Sequence, residues 1–221
     1  CRPPAPPRGR ARGGGRAAFR GRGSGRGRSR AGDAVLPRPE WGWVYAHVRP
    51  AAVDRRALRD IAAGWTTKLY GRGPNEEWAY SRIPPRIIVE EALAGADGGI
   101  PDDYKLFVFH GVCRYVQVDA GRFGVRTHDF HDPQWRHVPL RGGLPWADPP
   151  HEAPDRLAEM IAIAERLGAD TDFVRVDLYL LPDRIVFGEL TSYPAGGHSP
   201  FDPASYDEEF GSHWTVPRRY R

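Results

Sequence analysis

Apolar residues recur at helical spacing most clearly in residues 154–168. Successive apolar positions there stand three or four apart and so line one face of a helix. These positions are Leu157, Met160, Ile161 and Ala164. Gly168 follows them and is predicted to end the helix. Weaker patterns predict a helix that Asp54 caps and that runs to about residue 64, and a short helix around residues 203–210.

Residues that favour strands occur in short runs separated by turn residues. The runs at 104–109 and 112–118 flank a His-Gly dipeptide at 110–111, which predicts a hairpin with a two-residue turn. Two other runs predict strands at residues 41–48 and 86–90, the second of them buried. The chain is therefore expected to combine antiparallel strands with separate helices.

A second hairpin is predicted where residues 173–181 and 185–190 flank a Pro-Asp-Arg turn. A turn centred on Asp183 fixes the cross-strand partners. The predicted pairs are Arg175 with Thr191, Asp177 with Glu189, and Tyr179 with Phe187. Because side chains alternate along a strand, the opposite face is expected to join the core. That face carries Val174, Val176, Leu178, Val186 and Leu190.

The polar face of this hairpin carries the candidate chemistry. Asp177 and Glu189 stand opposite each other within apolar strands, and like charges in that arrangement repel. A dication relieves the repulsion, and Mg²⁺ commonly binds through one or two carboxylates plus nucleotide phosphates. Arg175 on the same face can hold a phosphate or a developing oxyanion. The alternative is that Arg175 simply neutralises both acids on an ordinary solvated face.

Charge is distributed unevenly along the 221 residues. Residues 1–30 contain ten Arg and no acid, while the whole chain carries only +4, so the remainder is net acidic. The segment 1–40 is predicted to be a disordered Arg/Gly-rich tail, and 41–221 to be the folded domain. The tail is either a nucleic-acid-binding arm or DNA translated out of frame. Elsewhere the charge gives no indication of a nucleic-acid partner.

Cysteine content and hydropathy bear on the compartment. The two cysteines, Cys1 and Cys113, lie far apart and form no disulfide framework. No apolar run approaches the length of a membrane-spanning helix, and the start lacks the apolar segment of a signal peptide. A cytoplasmic protein without membrane insertion is predicted.

Four stretches carry a resemblance to a known family. They are PNEEWAYSRIPPRIIVEE (74–91), IPDDYKLFVFHGVCRYVQVD (100–119), DFHDPQW (129–135) and DFVRVDLYLLPDRIVFGELTSYP (172–194). Within the last stretch, Arg175-Val-Asp177 and Glu189-Leu-Thr191 resemble the R-x-D and E-x-N pair that ends the ATP-grasp fold. The chain is similar to the TupA-like ATP-grasp group, which is associated with teichuronopeptide and other surface-polysaccharide biosynthesis.

This resemblance implies an α+β fold: the C-terminal lobe of an ATP-grasp domain, a mostly antiparallel sheet with flanking helices. It also implies an ATP- and Mg²⁺-dependent carboxylate–amine ligase acting on a small carboxylate and amine or on a polysaccharide precursor. By analogy, Asp177 and Glu189 would hold the magnesium ions on ATP, with Thr191 in place of the usual Asn. Arg175 would stabilise the acyl phosphate and the tetrahedral intermediate.

The same resemblance implies a nucleotide-binding segment. The strand that ends in Glu90-Glu91, followed by Ala92-Leu93, matches the hinge that hydrogen-bonds adenine in ATP-grasp enzymes. Lys105 on the next strand would be placed for phosphate or substrate. Without the resemblance, the two acids are a solvated strand exit and the lysine is a surface residue whose stem lies along apolar neighbours.

The chain departs from the family just before residue 43. Residues 34–43, AVLPRPEWGW, contain no lysine and no Gly-rich loop, where the family has both. One side of the phosphate clamp is therefore expected to be missing. A truncated, catalytically silent ligase is predicted, since phosphoryl transfer depends on positioning from both sides.

Two further motifs support alternatives. Asp170 and Asp172 form a D-x-D, which metal-dependent glycosyltransferases use on nucleotide sugars, although such a pair more often makes a turn. Residues 128–132 are rich in His and Asp, as in some metal hydrolases. Without further ligands at helical spacing, they are predicted to form a polar loop.

Overall fold

A computed structural model describes residues 55–67, 81–84, 86–87, 90, 93–122 and 124–216. The predicted tail at 1–40, the predicted strand at 41–48 and the capping residue Asp54 lie outside the described residues. Glu91 and Ala92 of the predicted adenine hinge lie outside them as well.

The described part of the chain is built on one six-stranded antiparallel sheet with the strand order β4-β3-β2-β1-β5-β6. The strands are β1 (Asp103–Phe109), β2 (Val112–Ala120), β3 (Thr127–His131), β4 (His137–Val138), β5 (Phe173–Leu180) and β6 (Ile185–Thr191). The helices are α1 (Arg55–Thr66), α2 (Leu157–Leu167) and α3 (Ser205–Ser212). The predicted α+β class and all three predicted helices are confirmed, within two or three residues at their ends.

The β1–β2 hairpin has the predicted two-residue turn. His110 and Gly111 have φ values of 50° and 76°, which place both residues in the left-handed region that this tight turn requires. A bulge between Phe107 and Val108 then shifts the register, so that Phe107 pairs with Tyr115. The hairpin therefore places odd-numbered β1 residues and odd-numbered β2 residues from 115 onward on one face.

The two faces of the sheet form different cores. Helix α2 covers one face and buries Met160 and Ala164 against Leu106, Val116 and Val176. Aromatic side chains cover half of the other face, where α3 contributes Phe210 to the cluster. The buried residues of this aromatic cluster are Phe107, Phe109, Tyr115, Phe130, Leu140 and Phe210. The rest of that face carries charged residues.

The β5–β6 hairpin follows the predicted register only at one end. Arg175 pairs with Thr191 and Asp177 pairs with Glu189, as predicted. Gly188 then forms a bulge after Asp177, so that Tyr179 faces Val186 and the predicted Tyr179–Phe187 pair is wrong. Val174, Val176 and Leu178 are buried as predicted, and Val186 is half-buried. Leu190 is 48% exposed, since β6 is the last strand of the described sheet.

The prediction of a polar loop at residues 128–132 is wrong. Residues 127–131 form β3, and both Asp129 and His131 are fully buried. Asp129 accepts a hydrogen bond from the Ala147 amide at 3.1 Å, and the His131 ring stacks on Trp135 with a centroid separation of 4.2 Å. These partners come from the chain that follows β3; the Ala147 amide satisfies the Asp129 carboxylate, and Trp135 covers the His131 ring.

The prediction of a buried strand at residues 86–90 is wrong for its described residues. Arg86, Ile87 and Glu90 are exposed and belong to no strand. Strand β1, which follows this segment, pairs with β2 on one side and with β5 on the other, so neither of its edges is open to the segment.

Helix α1 is amphipathic. Of the apolar face predicted for it, Ala57, Leu58, Ile61 and Ala62, the last three are half-buried and Ala57 is exposed. None of the helices in the described ranges is long and apolar enough to cross a membrane.

Candidate functional site

The candidate site lies on the charged half of the sheet face that also carries the aromatic cluster. Strands β6, β5 and β1 bring their polar side chains together there, because Asp177 pairs with Glu189 on one side and with Lys105 on the other. We call the following residues the charged cluster: Asp103, Lys105, Arg122, Arg175, Asp177, Glu189 and Thr191.

Arg175 links the acids of the β5–β6 hairpin. Its Nε donates to Asp177 Oδ1 at 2.7 Å, and its Nη2 donates to Asp177 Oδ2 at 2.8 Å. The same Nη2 lies 2.9 Å from Glu189 Oε1 and 3.0 Å from Thr191 Oγ1. The Thr191 hydroxyl donates in turn to Glu189 Oε1 at 2.9 Å. All four residues singled out on this hairpin are therefore in contact.

Lys105 joins this group from β1. Its Nζ lies 2.6 Å from Asp177 Oδ2 and 2.6 Å from Asp103 Oδ2. Arg122 reaches the same Asp103 oxygen at 2.8 Å from the β2–β3 turn. Lys105 is thus held between two buried carboxylates, each only 3% exposed, and is not a surface residue.

Burial and charge oppose each other in this cluster. Burial raises the pKa of Asp103, and the negative charge of Asp177 adds to the effect, although Lys105 and Arg122 act in the opposite direction. Burial works against the charge of Arg175, yet Asp177 and Glu189 outweigh it and raise the pKa of Arg175. Asp103 Oδ1 is buried and accepts no hydrogen bond from the described residues.

A second charged group lies next to the cluster. Asp119 pairs with Asp103 across β1 and β2, and with His128 across β2 and β3. Arg126 Nη2 contacts both oxygens of Asp119 at 3.0 and 3.1 Å, and His128 Nε2 lies 3.2 Å away. Burial alone would raise the pKa of Asp119, but His128 and Arg126 lower it to about 2.

The donor atoms of the hairpin suit a hard divalent cation. Asp177, Glu189 and Thr191 supply only oxygen, and Glu189 is 43% exposed, which leaves that end of the pair accessible. Within the described ranges, no group of three or more His, Cys, Asp or Glu side chains is arranged to hold a metal ion. Asp177 and Glu189 supply the one or two carboxylates that Mg²⁺ usually takes from protein, where phosphate and water complete its shell.

The predicted nucleotide hinge is described at two positions only. Glu90 is exposed and Leu93 is half-buried. Its role in holding adenine stays a prediction.

The D-x-D motif has a structural role. Asp170 is exposed in the turn after α2, and Asp172 accepts hydrogen bonds from its own strand and from Trp214 Nε1 at 3.1 Å. A glycosyltransferase site at this pair has no support.

A cavity of about 880 Å³ lies between α2, α3 and the start of β2. None of the predicted site residues line it.

Sequence reasoning missed Asp103, Arg122 and Asp119. Asp103 stands two positions before Lys105, so that strand alternation places both side chains on one face. That signal was available, but its meaning depends on the pairing of β1 with β5, which are separated by more than 60 residues.

A family model described as TupA-like ATPgrasp matches residues 70–215, well over half of the chain. No curated protein matches, and no solved structure matches. The matched region contains the whole sheet, α2, α3 and every residue of the charged cluster. The antiparallel sheet and the paired R-x-D and E-x-T strands agree with that match, and the chain therefore belongs to the TupA-like ATP-grasp family.

Proposed function

We propose that the charged cluster is the Mg²⁺-ATP site of a carboxylate–amine ligase. The observation that carries the proposal is the cross-strand pair of Asp177 and Glu189, joined by Arg175, on a hairpin within the family match. In such a ligase the γ-phosphoryl group of ATP passes to a carboxylate, and an amine then displaces the phosphate.

Each residue has a distinct part in this proposal. Asp177, Glu189 and Thr191 would hold Mg²⁺, which when bound neutralises charge on the phosphate oxygens. Arg175 offers a planar fork of donors to a phosphate or to an oxyanion. Lys105, fixed by Asp103, adds a second positive charge at the floor of the site. Glu90, Glu91, Ala92 and Leu93 would seat the adenine.

The substrates are proposed by class. The family resemblance favours a small carboxylate and an amine that enter surface-polysaccharide or teichuronopeptide assembly in the cytoplasm. The charged cluster supports a substrate with anionic groups, because three cationic side chains, those of Lys105, Arg122 and Arg175, lie beside the carboxylates that would hold the metal ion.

Titration calorimetry of Mg²⁺-ATP into the full chain tests the proposal. Asp177→Asn and Glu189→Gln should each weaken binding at least about tenfold, since each removes a charged oxygen ligand. Asp183→Asn is the matched control, because Asp183 is 67% exposed on the turn of the same hairpin, and its affinity should stay within about twofold. If both site variants bind as the parent does, the assignment is wrong.

A further inference from the structure

Three of the four carboxylate oxygens of Asp177 and Glu189 accept hydrogen bonds from internal cations. Asp177 Oδ1 accepts from Arg175 Nε, and Asp177 Oδ2 accepts from both Arg175 Nη2 and Lys105 Nζ. Glu189 Oε1 accepts from Arg175 Nη2 and from Thr191. Arg175 and a divalent cation would therefore compete for the same lone pairs.

The two internal cations, Lys105 and Arg175, differ in the contacts that each would keep if Asp177 bound a metal ion. Lys105 has a second carboxylate, Asp103, at 2.6 Å, and it can keep that contact when Asp177 takes another ligand. The side-chain hydrogen bonds of Arg175 within the described ranges all go to Asp177, Glu189 and Thr191. Arg175 is therefore the cation that must leave, since a guanidinium beside a dication is also repelled by it.

We propose that Arg175 is an exchangeable counterion of the metal site. It neutralises Asp177 and Glu189 while the site is empty of metal, and it is released to bind an anion when the two carboxylates take a divalent cation. This inference rests on the proposed function, because it assumes that these carboxylates bind metal. In this scheme the Arg175 guanidinium can bind an anion only when metal is bound.

A thermodynamic consequence follows from the exchange. Metal binding at the carboxylates should strengthen anion binding by Arg175, and anion binding should strengthen metal binding by the same factor. The site would then favour a metal–phosphate complex over either component alone. Asp103 acts as a positioning residue in this scheme, since it holds Lys105 in place during the exchange.

The test is a titration of the full chain with Mn²⁺ alone, in which the free ion is measured by electron paramagnetic resonance. Arg175→Met removes the competing cation and should tighten Mn²⁺ binding at least about tenfold, because its three charge-assisted hydrogen bonds to Asp177 and Glu189 no longer oppose the metal. Arg175→Lys keeps the charge without the fork and should give an intermediate affinity. Arg184→Met is the matched control, since Arg184 is 54% exposed on the turn of the same hairpin.

The outcomes separate the inference from the proposed function. Tighter binding by the Arg175 variants, with the Arg184 variant within about twofold of the parent, supports the exchange. Equal affinity of the parent and both Arg175 variants, with binding lost in Asp177→Asn, overturns the exchange and leaves the metal site intact. Absence of Mn²⁺ binding in every variant overturns both. Far-ultraviolet circular dichroism identifies a misfolded Arg175→Met, in which case the Arg175→Lys result decides.

Discussion

Asp119 shows how single residues set the charge balance on the functional face of the sheet. Its carboxylate is 10% exposed and touches Arg126 and His128. These partners hold its pKa at about 2, below the value of 3.8 expected for an unfolded chain. The folded state therefore binds this proton less readily than the unfolded state does. The resulting stabilisation is present above pH 4 and is lost as the pH falls toward 2.

Asp119→Asn should remove this pH-dependent stabilisation. At pH 6 we expect the free energy of unfolding of the parent to exceed that of the variant by about 2 kcal/mol. At pH 3 this difference should be smaller by about 1 kcal/mol. Urea unfolding at the two pH values measures both differences. Asp183→Asn, on an exposed turn, should show no such narrowing. A gap that is the same at pH 6 and pH 3 would contradict the pairing of Asp119 with Arg126 and His128.

At the scale of an element, the register of the β5–β6 hairpin sets the positions of the site residues. The bulge at Gly188 changes the register immediately after Asp177 and leaves the Asp177–Glu189 pair intact. A side chain at Gly188 would place its Cβ 3.0 Å from the Asp177 carbonyl oxygen and 3.1 Å from Tyr179 Cε2. Because the first contact is with backbone, the strand itself would have to move.

Gly188→Ala should therefore disturb both stability and metal binding. We expect a loss of about 1–3 kcal/mol in the free energy of unfolding, together with weaker Mn²⁺ binding, as Asp177 and Glu189 move out of register. Urea unfolding and the Mn²⁺ titration measure the two effects. Gly211→Ala in α3 is the control, since its Cβ would meet nothing within 4 Å and the helix should tolerate it. An unchanged Gly188→Ala protein would show that the bulge does not fix the pair.

Sequence could predict the parts of the fold that depend on near neighbours. The His110-Gly111 turn and the Asp177–Glu189 pair follow from residues a few positions away. The Tyr179–Phe187 pair failed because Gly188 adds one residue that a simple count from the turn does not include. Strand β3 was missed because Asp129 and His131 depend on Ala147 and Trp135, whose proximity is set by tertiary structure. Asp103 was missed for the same reason.

At the scale of the whole molecule, the two faces of the sheet carry different kinds of side chain. One face is apolar under α2, and the other is divided between an aromatic half, to which α3 contributes Phe210, and a charged half. The charged half is held by ion pairs between buried groups, which are costly to maintain and are weak evidence for stability. Their concentration beside the more exposed Glu189 favours a binding role, and we propose a nucleotide and a metal ion as the ligands.

The central claim is that Asp177 and Glu189 hold the metal ion of bound ATP. Anomalous diffraction from crystals of the full chain grown with Mn²⁺ and a non-hydrolysable ATP analogue tests it most directly. We expect a manganese peak within coordinating distance of Asp177 and Glu189, with the analogue phosphates beside it and Arg175 turned away from both carboxylates. A peak elsewhere, with Arg175 still bound to Asp177 and Glu189 beside an ordered analogue, would contradict it.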